Sequence, residues 1–378
     1  MRRIFSLCSF LLVLSGCAQM MGGTDNAPKP TALKPIKQQV SVKEAWSVQA
    51  LSASKQTFPL AIAHAANSLY TANHQGDVAA VNQTNGELRW KTHLKQVITA
   101  GPAASDALVV LGTNNGEVFA LSAKDGHVLW RYAADTTILA SPVIDDDSVL
   151  VKSMNGTVTR LNATTGKKMW AYEYGAPALI LRRSSTPLIT AGVVVSGFSN
   201  GKVAAFNMNK GDLLWEQRIA APEGNLAIER MVDIDATPVI DGNMLYVATY
   251  QGRIVAMQLP QGEVKWQHKL STFTGLAVDT EHVLVTDADS QVWAFDRANG
   301  HVLWRQEALK YRHITAPSLL GLYMIVADGD GYIHWLSTTD GHEVAREQAG
   351  KHINTPPLVI GDHVYVLTQG GELAAYSI

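Results

Sequence analysis

The sequence has 378 residues, a formal net charge of −2 at pH 7, and a hydrophobic content of 47%. A nearly neutral chain of this kind lacks the basic field that nucleic-acid binding requires, which argues against that function. Only two cysteines are present, Cys8 and Cys17, so the fold must be stabilised by its apolar core rather than by a disulfide framework.

The first 16 residues have the pattern of a bacterial lipoprotein signal peptide. A short basic head precedes an apolar run at 4–14, which is too short to cross a membrane as a helix. The run leads into Leu-Ser-Gly-Cys, a lipobox in which Cys17 is the predicted lipidation site. A triacylated cysteine carries more than the two hydrophobic signals that stable anchoring needs. By resemblance to known lipoproteins, Ala18 after the cysteine indicates the outer membrane.

Residues 17–40 are predicted to form the lipidated cysteine and a flexible tether, because this stretch is rich in proline, glycine and lysine. The remaining residues, 41–378, contain an internal repeat with a period of about 42 residues, which suits a four-stranded propeller blade. The repeat is marked by a proline, a glycine 14 residues later, a second glycine after 10 more, and a tryptophan after a further 4. In the third copy these are Pro142, Gly156, Gly166 and Trp170.

Within each unit the pattern is β, with short β-branched runs separated by turn residues such as Asn155-Gly156. The last copy has Pro357 and Gly371 but ends before its second glycine and tryptophan, whereas Trp46 lies near the N-terminus without a preceding unit. We therefore predict an all-β, eight-bladed β-propeller of four-stranded antiparallel blades, in which an N-terminal strand around Trp46 completes the last blade.

The tryptophan of each repeat is expected to pack the outer strand of one blade against a neighbouring hairpin, since its indole buries a large apolar surface. In one copy the position is occupied by Ala345. Trp335 stands where the other units usually have alanine, so we expect it to compensate for the missing indole.

Function is expected where the repeat varies in length. Two adjacent connections are longer than the rest, from Trp170 to Pro187 and from Trp215 to Pro238. The first insertion offers large apolar residues beside two arginines, a composition that favours protein binding over a purely structural cover. The second carries two aspartates at two-residue spacing, which predicts that they point the same way from an extended chain. The candidate residues are Leu179, Leu181, Arg182, Arg183, Asp233 and Asp235.

The sequence contains no motif for catalysis. His-Glu-x-x-His, Gly-x-Ser-x-Gly, Walker and Cys-x-x-Cys patterns are absent. Aspartate-rich turns at 145–147 and 328–330 resemble pieces of calcium loops, but the bidentate glutamate of an EF-hand is missing. We therefore expect no catalytic residues, no metal and no cofactor.

The glycine–tryptophan repeat resembles the tryptophan-docking repeat of quinoprotein alcohol dehydrogenases, which are eight-bladed propellers. The ring has no cysteine pair and no long insertions for a quinone site, so that resemblance implies the fold without the catalysis. A lipobox, a short tether and eight such blades resemble, over the whole chain, the BamB family, the lipoprotein subunits of the outer-membrane β-barrel assembly (BAM) machinery.

This second resemblance implies a periplasmic scaffold on the outer membrane that binds a POTRA domain of the barrel subunit BamA and assists unfolded outer-membrane proteins. Carried over on 178–182 and 232–238, it implies that Leu179, Leu181 and Arg182 form the contact and that Asp233 and Asp235 support it. Arg183 departs from the family pattern, in which a small residue follows the arginine. A quinone-dependent dehydrogenase and a periplasmic carbohydrate-binding propeller are the alternatives.

Overall fold

A computed structural model describes residues 27–54 and 58–378. All regular elements within these ranges are β-strands, and they form eight four-stranded antiparallel sheets. The predicted eight-bladed propeller is therefore confirmed. The predicted signal peptide, Cys17 and the first part of the predicted tether lie outside the described residues.

The blades are numbered in chain order. Blade 1 contains β2 (Ala63–Ala65), β3 (Ser68–Ala72), β4 (Asp77–Asn82) and β5 (Leu88–His93); blade 2 contains β6 (Ile98–Ala104), β7 (Leu108–Thr113), β8 (Glu117–Ser122) and β9 (Val128–Ala133). Blade 3 contains β10 (Val143–Asp145), β11 (Ser148–Lys152), β12 (Thr157–Asn162) and β13 (Lys168–Glu173); blade 4 contains β14 (Leu188–Thr190), β15 (Val193–Gly197), β16 (Lys202–Asn207) and β17 (Leu213–Arg218). Blade 5 contains β18 (Val239–Asp241), β19 (Met244–Ala248), β20 (Gly252–Gln258) and β21 (Glu263–Leu270); blade 6 contains β22 (Gly275–Val278), β23 (His282–Thr286), β24 (Val292–Asp296) and β25 (Val302–Gln306). Blade 7 contains β26 (Ser318–Leu320), β27 (Tyr323–Ala327), β28 (Tyr332–Ser337) and β29 (Glu343–Gln348); blade 8 contains β30 (Leu358–Ile360), β31 (His363–Leu367), β32 (Glu372–Ser377) and β1 (Lys43–Gln49).

The first strand of each blade lies nearest the ring axis. First strands of neighbouring blades contact one another, as β2 contacts β6 and β18 contacts β22, and the fourth strand of each blade is the outer edge. The first glycine of each repeat lies in the turn between the second and third strands. Gly156, with φ of +84°, is one example of the left-handed conformation that this turn requires.

The ring closes in the predicted way. Strand β1 pairs antiparallel with β32, and Trp46 lies opposite Ala375 in that pairing. Blade 8 is thus built from both ends of the propeller chain. Its inner three strands come from the C-terminal end and its outer strand from the N-terminal end, which leaves neither end as a free sheet.

Six of the seven tryptophans of the repeat dock on the next blade in the same way, whereas Trp215 lies farther from its glycine, Gly262, and its indole N–H has no such bond among the described residues. In the six, the indole lies against the second glycine of the next blade, and the indole N–H donates to the backbone carbonyl three residues before that glycine. Such bonds join Trp46 to Gln83 (3.2 Å), Trp90 to Ala123 (2.9 Å), Trp130 to Ala163 (2.7 Å), Trp170 to Met208 (2.8 Å), Trp266 to Arg297 (2.9 Å) and Trp304 to Thr338 (2.9 Å).

Blade 7 departs from this pattern because blade 8 offers no dock. The glycine hairpin that receives a tryptophan joins the third and fourth strands, and in blade 8 these are β32 and β1, which no hairpin connects. The tryptophan position is accordingly filled by Ala345. Its cross-strand partner Trp335 is fully buried, so the indole has moved one strand inward, as expected from the sequence.

Where the indole lies directly against the second glycine, no side chain fits at that glycine, and the cost of adding one can be measured as a loss of stability. A Cβ on Gly166 would lie 2.6 Å from Cε3 of Trp130, whereas a Cβ on Gly262 would meet nothing nearer than 3.4 Å. The two glycines have similar φ, +67° and +73°. We expect Gly262→Ala to cost about 1–2 kcal/mol of backbone strain, and Gly166→Ala about 1–3 kcal/mol more from overpacking. Urea unfolding of both variants measures the difference, and equal losses would contradict the docking account.

Candidate functional site

The two long connections lie side by side on one rim of the ring. The first, residues 174–187, joins blade 3 to blade 4, and the second, residues 219–238, joins blade 4 to blade 5. Connections of this type all emerge at the same end of the blades. The backbone N–H of Thr186 donates to Oγ1 of Thr237 at 3.2 Å, so the two insertions contact each other directly. We call residues 174–187 and 219–238 together the insertion rim.

The first insertion presents an apolar and a cationic side chain to solvent. Leu179 is 47% exposed, and Arg182 is exposed as well, with its guanidinium 6.0 Å from the ring centre of Phe58. Leu181, between them, is half-buried. Among the described residues, no hydrogen-bond or ion-pair partner holds the Arg182 guanidinium. An exposed leucine beside an unpaired guanidinium is typical of a protein-binding spot.

Arg182 and Arg183 both line a cavity of about 350 Å³ at the mouth of the central channel. Arg183 is the less exposed of the two, and its guanidinium lies 4.8 Å from the ring centre of Phe273. Burial lowers the pKa of this guanidinium, an effect opposed by the negative charge of Asp235. The cavity is walled by residues at the start of the first strand, or a few residues before it, in most blades, namely Phe58, Ser141, Thr186, Thr237, Gly275, Ala316 and Pro356.

Asp233 and Asp235 are buried beneath the insertion rim. The second insertion is held there by its backbone, since the carbonyl of Asp233 accepts from the N–H of Tyr250 at 2.9 Å. The N–H of Ile234 donates to the carbonyl of Phe198 at 3.2 Å. Asp233 is fully buried and Asp235 lines the same cavity as the two arginines, so both can support the surface that Leu179 and Arg182 expose.

The two carboxyl groups are perturbed by this burial. Burial raises the pKa of Asp233 to about 6. Burial and the charge of Asp233 raise the pKa of Asp235 to about 8, although the positive charges of Lys152 and Arg183 act in the opposite direction. No described residue donates a hydrogen bond of ordinary geometry to the four carboxylate oxygens. The hydroxyl of Ser199 and the backbone N–H of Leu181 nevertheless act to lower the pKa of Asp233, and the charges of Lys152 and Arg183 act to lower that of Asp235.

Lys152 is the functional-site residue that sequence reasoning missed. Its ammonium is buried and donates to the carbonyl of Gly197 at 2.7 Å and to Oγ of Ser185 at 3.1 Å. Burial lowers its pKa to about 7, opposed by the charge of Asp235. A signal was present in the repeat, because Lys152 occupies a position where the other blades have no charge. Those residues are Ala72, Gly112, Gly197, Ala248, Thr286, Ala327 and Leu367.

The tip of the second insertion adds a second apolar spot that the sequence analysis did not select. Leu226 is 61% exposed and Ile228 is 57% exposed. The tip is nevertheless ordered by its own contacts, since the carboxylate of Glu229 accepts from the N–H groups of Asn225 (2.9 Å) and Leu226 (3.0 Å). The insertion rim therefore exposes apolar side chains from both connections.

The described residues contain neither a metal-binding cluster nor a helix of membrane-spanning length and hydrophobicity. Within residues 27–54 and 58–378, no group of three or more histidine, cysteine, aspartate or glutamate side chains is arranged to hold a metal ion. The turn at 328–330, which resembles a calcium loop in sequence, uses Asp328 and Asp330 to bind the guanidinium of Arg312. No helix in the described part of the chain is long and apolar enough to cross a membrane.

Comparison with known proteins identifies relatives of the same architecture and length. The model of the family described as outer membrane protein assembly factor BamB matches residues 74–306 and 303–378. A protein named outer membrane protein assembly factor BamB from Legionella pneumophila (strain Paris) is 44% identical over 379 residues, which cover 97% of this chain and 99% of that relative.

Solved structures agree with this relationship. The crystal structure of BamB from Moraxella catarrhalis has a TM-score of 0.83 and 27% identity, and the match covers 89% of this chain and all of that one. A quinohemoprotein alcohol dehydrogenase from Comamonas testosteroni has a TM-score of 0.72 at 11% identity, with 89% of this chain and 76% of that one covered. At that identity the dehydrogenase shares the fold alone.

Proposed function

The chain belongs to the BamB family of outer membrane protein assembly factors, and on this premise we propose that its insertion rim binds a POTRA domain of the barrel subunit BamA. The protein is an outer-membrane-associated assembly factor of the BAM complex. Its relatives are named as assembly factors, and the dehydrogenases of similar fold are distant. We propose that the ring is a scaffold without enzymatic activity, metal or cofactor.

One observation carries the proposed contact. The two connections that break the repeat meet at one rim, where Leu179 is exposed and the guanidinium of Arg182 has no ion-pair partner among the described residues. Arginine is enriched in binding hot spots, so Arg182 would be the charged anchor, and Leu179 would supply exposed apolar surface beside it. Asp233, Asp235 and Lys152 would position the loops from below, Arg183 would extend the surface into the axial cavity, and the half-buried Leu181 would complete it beside Arg182.

The proposal also covers the lipid anchor and the unfolded outer-membrane proteins that the ring would assist. Cys17 would carry the lipid that holds residues 41–378 on the periplasmic face of the outer membrane, after removal of residues 1–16 and with residues 17–40 as the connection. Bound to BamA, the ring would assist the folding and insertion of unfolded outer-membrane proteins. Support comes from the lipobox in the sequence and from the family to which the chain belongs.

A pull-down from detergent-solubilised membranes tests the contact. Tagged protein with Leu179→Ala and Arg182→Ala should retain at most about a tenth of the BamA that the wild type retains, because truncating two hot-spot residues costs on the order of 2–4 kcal/mol in binding. The readout is the BamA band relative to the tagged protein.

The matched control is Leu214→Ala with Arg218→Ala, which removes an exposed leucine and an exposed arginine from the outer strand β17 of blade 4. This control should retain BamA at the wild-type level. Both double variants should melt at wild-type temperature, because no core residue is changed. Undiminished BamA with the Leu179 and Arg182 variant would refute the proposed contact.

A further inference from the structure

The chain segment before β1 is bound to the ring. The backbone N–H of Thr31 donates to the carbonyl of Lys310 at 3.0 Å, and the carbonyl of Thr31 accepts from Nη1 of Arg312 at 3.0 Å. Lys310 and Arg312 belong to the connection between blades 6 and 7. This connection lies on the same rim as the two insertions, because it also joins a fourth strand to the next first strand.

Farther along, the same segment follows the outer edge of blade 7. The backbone N–H of Gln39 donates to the carbonyl of Val344 at 2.8 Å, which is a strand-like contact with β29. The carbonyl of Lys34 accepts from Nη1 of Arg346 at 3.1 Å, and Nε2 of Gln38 donates to the carbonyl of Arg346 at 3.1 Å.

Apolar side chains of the segment enter the cores between blades. Leu33 packs against the core between blades 6 and 7, which includes Leu309 and Ile314. Val40 and Val42 pack against the core between blades 7 and 8, which includes Trp335 and Ala345. These valines lie at the blade 7 edge, where the tryptophan dock is missing.

Both arginines that hold the segment are fixed from behind by acidic side chains, of which Asp328 and Glu343 are buried and Asp330 is exposed. The Arg312 guanidinium donates to Asp328 at 2.7 Å and to Asp330 at 2.8 Å, and Arg346 pairs with Glu343. His334, fully buried, joins the two ends of this network.

The ring nitrogens of His334 lie 3.0 Å from Asp328 and 2.6 Å from Glu343. Burial opposes ionisation of Asp328, but the hydrogen bond and charge of His334 and the contact with Arg312 hold its pKa below the usual value. The pKa of Glu343 is likewise held below its usual value, so the carboxylates of Asp328 and Glu343 stay ionised and orient Arg312 and Arg346.

We infer that residues 27–42 form a strap, and that the outer edge of blade 7 is a docking surface whose occupant is this segment of the chain itself. The strap covers the edge that ring closure leaves without a tryptophan dock, and it blocks that edge to other strands. It also fixes the point at which the N-terminal part of the chain leaves the ring, beside Arg312 at the same end of the ring as the insertion rim.

The consequence for orientation depends on the lipidation proposed above. If Cys17 carries the lipid, only 14 residue steps separate it from Thr31, and a fully extended chain of that length reaches roughly 50 Å at most. Thr31, and with it the connection between blades 6 and 7, would then be held within that distance of the membrane surface. The strap itself is independent of the lipid.

Hydrogen exchange measured by mass spectrometry on the full lipoprotein in detergent tests the strap. Peptides covering 31–42 should exchange slowly in the wild type, since the N–H groups of Thr31 and Gln39 are bonded. In the variant Arg312→Ala with Arg346→Ala, exchange of these peptides should rise at least tenfold, while peptides from β16 keep their wild-type rate. The matched control Arg131→Ala, in an exposed position on β9, should change nothing.

A second variant leaves the blades untouched. Gln39→Pro removes the N–H that bonds to Val344, and it should release the same peptides even if the arginine variant does not fold. Wild-type exchange of 31–42 at the rate of an unstructured chain would overturn the strap. That result would leave the BamA contact standing, because the pull-down depends on Leu179 and Arg182 alone.

Discussion

Replacing Trp335 by alanine should lower the free energy of unfolding by about 3–5 kcal/mol, the range for truncating a buried aromatic side chain. The indole is fully buried in the core between blades 7 and 8, where it faces Ala345 across the strands and lies among Val364, Val366 and the strap. Alanine would leave a cavity that a rigid antiparallel sheet cannot close. Urea unfolding, monitored by the far-ultraviolet circular dichroism of the backbone rather than by tryptophan fluorescence, measures this loss of unfolding free energy.

Two companion variants show why the tryptophan stands at this position. Trp335→Phe should cost less than about 2 kcal/mol, because the indole N–H is buried without a hydrogen-bond partner in the described chain and its removal offsets part of the lost packing. The exchange Trp335→Ala with Ala345→Trp restores the order found in the other blades. It should nevertheless be no more stable than Trp335→Ala, since blade 8 offers no glycine hairpin to receive the indole. Recovery to wild-type stability would disprove this account of blade 7.

Replacing Lys152 by methionine should cost about 1–3 kcal/mol, the penalty for leaving buried hydrogen-bonding groups without their partner. The carbonyl of Gly197 and the hydroxyl of Ser185 would lose their donor. Asp235 would lose one of the two positive charges that oppose the rise in its pKa. We expect the insertion rim to loosen, so that BamA retention in the pull-down falls together with the stability.

A double-mutant cycle identifies the partner of the lysine. Asp235→Asn alone should be close to neutral, because the carboxylate accepts no hydrogen bond from the described residues and its ionisation is opposed by burial. Lys152→Met with Asp235→Asn should be less destabilising than the sum of the single changes by at least about 1 kcal/mol. Lys124→Met, at an exposed turn in blade 2, should stay within about 0.5 kcal/mol of wild type. If the changes in unfolding free energy of the two single variants add up to that of the double variant, Lys152 and Asp235 do not interact.

Much of the site was predictable because it interrupts a repeat. The insertions between Trp170 and Pro187 and between Trp215 and Pro238 stand out by length alone, and the structure brings them into contact through Thr186 and Thr237. Lys152 was also visible as a charge at a position where other blades are uncharged. Its role was not, because Ser185 and Gly197 are distant in sequence and adjacent only after blades 3 and 4 pack.

The segment before β1 shows the opposite case, because its sequence did not indicate where it binds. Proline, glycine and lysine in residues 17–40 predict a flexible tether, and composition alone contains no sign of a partner. The structure places the described part of this segment, from residue 27, against Lys310, Arg312, Val344 and Arg346. These contacts join residues about 300 positions apart, so no local pattern reports them.

The sequence by itself determined the number of blades, the strand that closes the ring and the two irregular connections. Each follows from local turn chemistry and a fixed period, which are readable one unit at a time. Only the tertiary structure decided which side chains of the insertions face solvent, which acids are buried beneath them, and where the tail lies. These features depend on how the blades pack against one another. That packing sets the burial of each side chain and therefore the charge state of each buried acid. It is a property of the closed ring rather than of any single unit.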